Sequence, residues 1–125
     1  MSGFRKNISP MNNQLLNFLT VGAGGAVGAM MRYGLSLLLA GQPLIATMAA
    51  NVAGSFLIGL AMASAQGRVV LFLTVGLCGG FTTFSTFSAQ TLGLIQDGNY
   101  QSALGYALLS VILCLGATYS ALRLT

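Results

Sequence analysis

The residues with chemistry to offer in this chain are neutral. The stretch "GGFTTFSTFSAQ", residues 79–90, sets three phenylalanines, five hydroxyl residues and Gln90 between apolar flanks. Asn51 stands in "AANVAGSF", and Tyr106, Ser110, Cys114 and Thr118 recur every four residues, on one face of a helix. An amide brings two donors and an acceptor, and a hydroxyl brings one donor. A phenyl ring has a negative face and a positive edge. Such a set can hydrogen-bond a small anion without a counter-charge. Each member also has a plainer use. Serine and threonine satisfy themselves on the i−4 carbonyl, an asparagine can bond a neighbouring helix, and phenylalanines most often pack.

The elements that position these groups follow from charge. The chain is 55% hydrophobic and 5% charged, where a soluble domain averages about 25% charged residues. Arg5, Lys6, Arg32, Arg68, Asp97 and Arg123 carry all the charge, and there is no His, Glu or Trp. The bilayer is the solvent such a surface fits. Crossing about 30 Å of hydrocarbon takes roughly 20 apolar residues. The charge-free stretches predict one four-span domain, with spans at about 15–39, 43–66, 69–95 and 102–122. The turns fall at "AGQP", "QGR" and "QDGNY", rich in turn-forming residues. Residues 1–10 read as a disordered extension, native or from a vector, with Met11 an alternative start; nothing there resembles a signal peptide. Cys78 and Cys114, both within spans, read as small packing residues.

Four spans put Arg5, Lys6, Arg68 and Arg123 on one side, which the positive-inside rule makes cytoplasmic. Without residues 1–10 the bias falls to Arg68 and Arg123 against Arg32, and a balanced chain inserts either way up. Small residues at four-residue spacing (Gly24 and Gly28; Ala46, Ala50 and Gly54; Ser55, Gly59 and Ala63) let helices approach closely. They serve packing within the bundle and, since four helices enclose little, assembly into an oligomer.

Within the third span, "GG" followed by "TT" is poor helix, because glycine costs up to about 1 kcal/mol and threonine is β-branched. A break is expected near residues 79–83. It would free carbonyls that suit sodium and a helix N-terminus that suits an anion. No acid or histidine lies in a span, which argues against a proton-coupled relay. No phosphate loop, triad or metal cluster is present, so the chain reads as a non-enzymatic passive pathway. A small multidrug or cation exporter is the competing reading, but it needs a membrane carboxylate, and Asp97, in a turn, is the single acid.

"GGFTTFSTFS" resembles the signature of the Fluc (CrcB-type) fluoride channels, and "GAGGAVGAMMRYG", "ATMAANVAGSFLIG" and the Tyr106–Ser110 face agree with it. The resemblance covers about residues 12–122. It implies an all-α membrane protein of the bacterial inner membrane, with four transmembrane helices per subunit and a broken third helix. Two subunits form an antiparallel, dual-topology homodimer, or a pair with a homologous subunit; lipid is the other partner and nucleic acid is none. Two fluoride pores along the interface export cytoplasmic fluoride. By motif, Phe84 and Phe87 correspond to the pore phenylalanines, Asn51 to the pore asparagine, Tyr106, Ser110 and Thr118 to a polar track, and Arg32 to a vestibule arginine. The backbone carbonyls of Gly79 and Thr82 correspond to the ligands of a structural sodium ion at the dimer centre. Gln90 departs from the pattern, standing beside the pore where the family commonly has glutamate.

Overall fold

The computed structural model describes residues 11–125, so the extension expected at 1–10, with Arg5 and Lys6, lies outside the described residues. Among them the chain is helical almost throughout. Helix α1 spans Met11–Leu38, α2 Pro43–Ser64 and α6 Tyr100–Leu124. The third span is assembled from pieces: α3 (Arg68–Leu71), a π-helical segment (Phe72–Cys78), α4 (Gly79–Phe81) and, after two non-helical residues, α5 (Phe84–Gln96). Four stretches, Asn12–Leu38, Pro43–Ser64, Arg68–Gln96 and Tyr100–Leu124, are long and apolar enough to cross a membrane. This is a multi-pass membrane protein with a bent third helix. The bounds of the four stretches differ from the spans expected at 15–39, 43–66, 69–95 and 102–122 by no more than three residues at any edge.

The chain turns where the sequence allows it. Pro43 opens α2 at a position that needs no N–H donor. Gly67 and Gly98 take the positive φ that the two remaining turns require, at 65° and 82°. Arg68 reaches back to α1, its Nη2 donating to Asn13 Oδ1 at 3.2 Å and its Nε to Asn17 Oδ1 at 3.3 Å. This ties the start of the third span to the start of the first.

Packing falls into two partnerships. Helix α1 lies along residues 72–81, and α2 lies along α6. The first is a backbone-to-backbone contact. A Cβ on Gly24 would come within 2.6 Å of the Phe72 carbonyl oxygen, and one on Gly28 would strike the Leu77 carbonyl oxygen. From the other side, a Cβ on Gly80 would strike the Gly25 carbonyl oxygen. Gly24 and Gly28 are thus spent inside the subunit. In the second partnership Ala46, Thr47, Ala50, Gly59 and Ala61 of α2 are buried, with Ala103, Tyr106, Ser110 and Ala121 of α6, while Gly54, also buried, meets Thr82 and Phe81 of the third span. A Cβ on Gly59 would stand 2.7 Å from that of Ala121.

The break is narrower than the sequence suggests. Gly79, Gly80 and Phe81 stay helical, and only Thr82 (φ −82°, ψ 157°) and Thr83 (φ −150°, ψ 114°) are extended. Gly80 is there for the approach of α1, whereas Gly79 has no neighbour on α1 and lines the groove. The interruption is made by the two threonines and by a partner for them on α2.

Candidate functional site

That partner is Asn51. Its Oδ1 accepts from the Thr83 backbone N–H at 2.7 Å, and its Nδ2 donates to the Thr83 carbonyl at 3.1 Å. The side chain thus substitutes for a second backbone strand. In a continuous helix the Thr83 N–H would bond the Gly79 carbonyl. Here it goes to Asn51, and the Thr86 N–H that would reach the Thr82 carbonyl goes to Thr83 Oγ1, so among the described residues the Gly79 and Thr82 carbonyls have no hydrogen-bond donor. The other side of the break is capped. Thr83 is the N-cap of α5, its Oγ1 accepting from the Thr86 N–H at 3.2 Å and donating to Thr86 Oγ1 at 3.1 Å. Mid-span, then, a carbonyl-rich helix end meets the positive end of a following helix. Arg32 stands beside the same turn, its Nε 3.5 Å from the Gly80 carbonyl oxygen.

A groove of about 410 Å³ opens at this junction. Its walls include Asn51 and Gly54 from α2, Gly79, Thr82 and Thr83 at the break, Phe84 and Phe87 from α5, and Ser110 and Cys114 from α6. The two rings are neighbours, with centroids 5.5 Å apart at 45°. Phe87 continues to Tyr106 at 5.2 Å and 41°. Phe84 is 78% exposed in the single subunit, whereas Phe87 is half-buried, so α5 presents one ring outward and holds the other against α6.

The four residues spaced along α6 have different fates. Tyr106 Oη donates to Gln90 Oε1 at 2.7 Å, and Gln90 Nε2 donates to the Pro43 carbonyl at 3.2 Å. Thr118 Oγ1 donates to the Ser55 carbonyl at 2.8 Å, clasping α6 to α2. Cys114 is a free thiol on the groove wall, and Cys78, also free, is buried across from it. Ser110 is the exception. It is 95% buried by exposure of 5%, lines the groove, and its hydroxyl has no partner among the described residues. A buried hydroxyl left unpaired costs about 1–3 kcal/mol. It could have bonded the carbonyl one turn back, as Thr74, Thr82 and Thr91 do at 2.7–2.8 Å.

The structure therefore gathers Asn51, Gly79, Thr82, Phe84, Phe87 and Ser110 on one groove. Tyr106 and Gln90 stand behind Phe87. Thr118 is bonded to α2, and Arg32 lies on the α1 side of the break. Sequence reasoning missed Thr83, the residue that both caps α5 and receives Asn51. A threonine three residues before Thr86, at the start of a helix, is the signal that could have found it. It also missed the π-helical turn at Phe72–Cys78.

Comparison with known proteins identifies the family. Residues 19–122 match the family described as "CrcB-like protein, Camphor Resistance (CrcB)". A protein of Idiomarina loihiensis named "Fluoride-specific ion channel FluC" is 40% identical over 123 residues, covering 91% of this chain and 95% of its own. Proteins of the same name from Elusimicrobium minutum and Thermus thermophilus are 48% and 44% identical, covering 81% and 86% of this chain and 86% and 93% of theirs.

Proposed function

The chain belongs to the CrcB family, and on that premise we propose that it is a passive, fluoride-selective channel of the bacterial inner membrane. It lets out fluoride that has entered as neutral HF and dissociated in the cytoplasm, so no energy source is needed. The observation that carries the reading is the Ser110 hydroxyl, buried and unpartnered on a groove shared with Asn51, Phe84 and Phe87. A protein that leaves a donor unspent at mid-membrane has a use for it.

Fluoride is small and strongly hydrated, so a pathway must replace several water contacts at once. The Ser110 hydroxyl, the second N–H of the Asn51 amide and the positive edges of Phe84 and Phe87 can do so together. Each contact is weak alone. Several weak sites in series allow release as well as capture, where a fixed cation would hold the ion. Chloride is larger and gains less from the same donors. On the polar face of α6, Ser110 offers its proton to the path, while Tyr106 and Thr118 flank it with their protons already donated to Gln90 and Ser55. Arg32 attracts anions to the vestibule.

One subunit leaves the groove open and Phe84 exposed, which suits closure by a second copy. In the proposed antiparallel homodimer each pore is walled by both subunits. Pairing with a homologous subunit is the alternative assembly. The Gly79 and Thr82 carbonyls fit the sodium ion implied by the family, since they are oxygen donors freed by the break and lack a hydrogen-bond donor. Bound there, sodium would supply a positive charge at the dyad. The chain's own part is to hold those carbonyls, through Asn51 taking the Thr83 N–H away from Gly79.

Liposomes containing the purified protein and loaded with fluoride or chloride test the reading. Fluoride should leave rapidly and chloride no faster than from protein-free liposomes. Folded dimers that release neither ion, or both alike, would refute it.

A further inference from the structure

At the end of the bundle where the first and third spans begin, Arg68 holds two asparagines in a fixed sense. A guanidinium only donates, so the Asn13 and Asn17 atoms facing it are the carbonyl oxygens, 3.2 Å from Nη2 and 3.3 Å from Nε. The amide NH2 groups are the other arms, turned from the guanidinium. Neither they nor the rest of the guanidinium has an acceptor among the described residues. We propose that Arg68, Asn13 and Asn17 form a seat for the phosphate of an anionic phospholipid. The three side chains have spent their acceptors on one another and have N–H groups left, arranged around one positive charge. A phosphate diester offers acceptor oxygens and one negative charge, the complement of that set.

Charge and position select the occupant. Asp97, the single acidic side chain, lies in the turn after α5, at the far end of the third span, so no acidic side chain neutralises Arg68. Arg5 and Lys6, the charges that precede Asn13 in the chain, have the same sign as Arg68. The membrane-crossing stretches start at Asn12 and Arg68, which puts the cluster on the first turns of both, level with the headgroups. Arg68 is exposed and the two asparagines are half-buried. Phe18, Leu19 and Val69, beside them in the chain, are exposed apolar residues that suit the acyl chains below a phosphate. A zwitterionic lipid brings an ammonium group that would find no acceptor here and would face the guanidinium. A free phosphate ion gains nothing from the apolar rim. A lipid held at this seat bonds α1 and the third span together beyond the glycine seam, and so stabilises the fold.

Thermal unfolding of the full chain in a neutral detergent tests this, and stands apart from the channel reading because no ion flux is read. Short-chain phosphatidylglycerol should raise the midpoint by about 5 °C or more. Phosphatidylcholine of the same chain length, and glycerol phosphate at the same concentration, should each raise it by less than about 1 °C. No rise with phosphatidylglycerol, or an equal rise with phosphatidylcholine, would overturn the proposal. An equal rise with glycerol phosphate would make the occupant a soluble phosphate and overturn it too. Arg68→Lys keeps the charge but not the planar fork that reaches both amides, and should lose most of the rise. An Arg68→Lys protein that keeps the full rise would reduce the seat to general attraction of charge, against the proposal. Should Arg68→Lys fail to fold, Asn13→Ala and Asn17→Ala decide. Each leaves Arg68 in place and should at least roughly halve the rise, since each removes one set of amide donors. An undiminished rise in both would overturn the seat.

Discussion

The two halves of the third span are built on opposite principles. Residues 68–81 are held by the absence of side chains, with Gly76 and Gly80 pressed backbone to backbone on Gly24 and Gly25 of α1, and Gly28 of α1 on the backbone of Leu77 and Phe81. Residues 84–96 are held by side chains: the Thr83 cap, the Phe84–Phe87–Tyr106 ladder and the hydrogen bonds of Gln90 to Tyr106 and Pro43. No residue of α5 is buried, whereas Gly76, Leu77 and Cys78 are. The first half is a fixed wall. The second is a thinly packed carrier of polar and aromatic groups, secured at a few bonds, and the groove opens along it.

Substitutions should separate the two halves. The largest loss of stability is expected at the glycine seam. In Gly28→Leu the new side chain would meet the Leu77 carbonyl and the Phe81 N–H, and backbone cannot yield as a side-chain tip can. A cost of about 3 kcal/mol or more follows, seen as lost folded protein in detergent. A Gly28→Leu protein with wild-type thermal stability would end the distinction. Asn51→Ala comes next. It strands the Thr83 N–H and carbonyl together, for about 2 kcal/mol, and should slow fluoride efflux as well. Thr118→Val removes one interhelical bond, to the Ser55 carbonyl, for about 1 kcal/mol. Its efflux should fall less than that of a Ser110 variant, because its proton is already engaged. Phe84→Ile should barely move stability, within about 0.5 kcal/mol at so exposed a position, while slowing efflux.

The sequence made the four spans legible because a lipid-facing helix cannot hide charge, and the gaps between Arg32, Arg68, Asp97 and Arg123 are long enough to read directly. The break was also legible, though credited to the glycines as well as to the threonines that make it. Gly79 and Gly80 both stay helical, Gly80 with α1 packed against it, and composition alone does not say whether a glycine bends a chain or admits a neighbour. What lay beyond reach were the pairings across helices. Asn51 meets Thr83 from 32 residues away, Gln90 meets Pro43 from 47, and Thr118 meets Ser55 from 63. The four-residue spacing on α6 placed Ser110 and Thr118 on one face. It could not show that one hydroxyl is spent on a helix contact and the other left free.

Ser110 is where the account is most exposed. Removing an unpaired buried hydroxyl deletes no hydrogen bond within the described residues and lifts a desolvation cost. The direct measurement is fluoride efflux from liposomes carrying Ser110→Ala beside its thermal unfolding in detergent. The account predicts a protein at least as stable as wild type that releases fluoride about tenfold more slowly, the loss of roughly one charge-assisted hydrogen bond. A Ser110→Ala protein that conducts at the wild-type rate would contradict it.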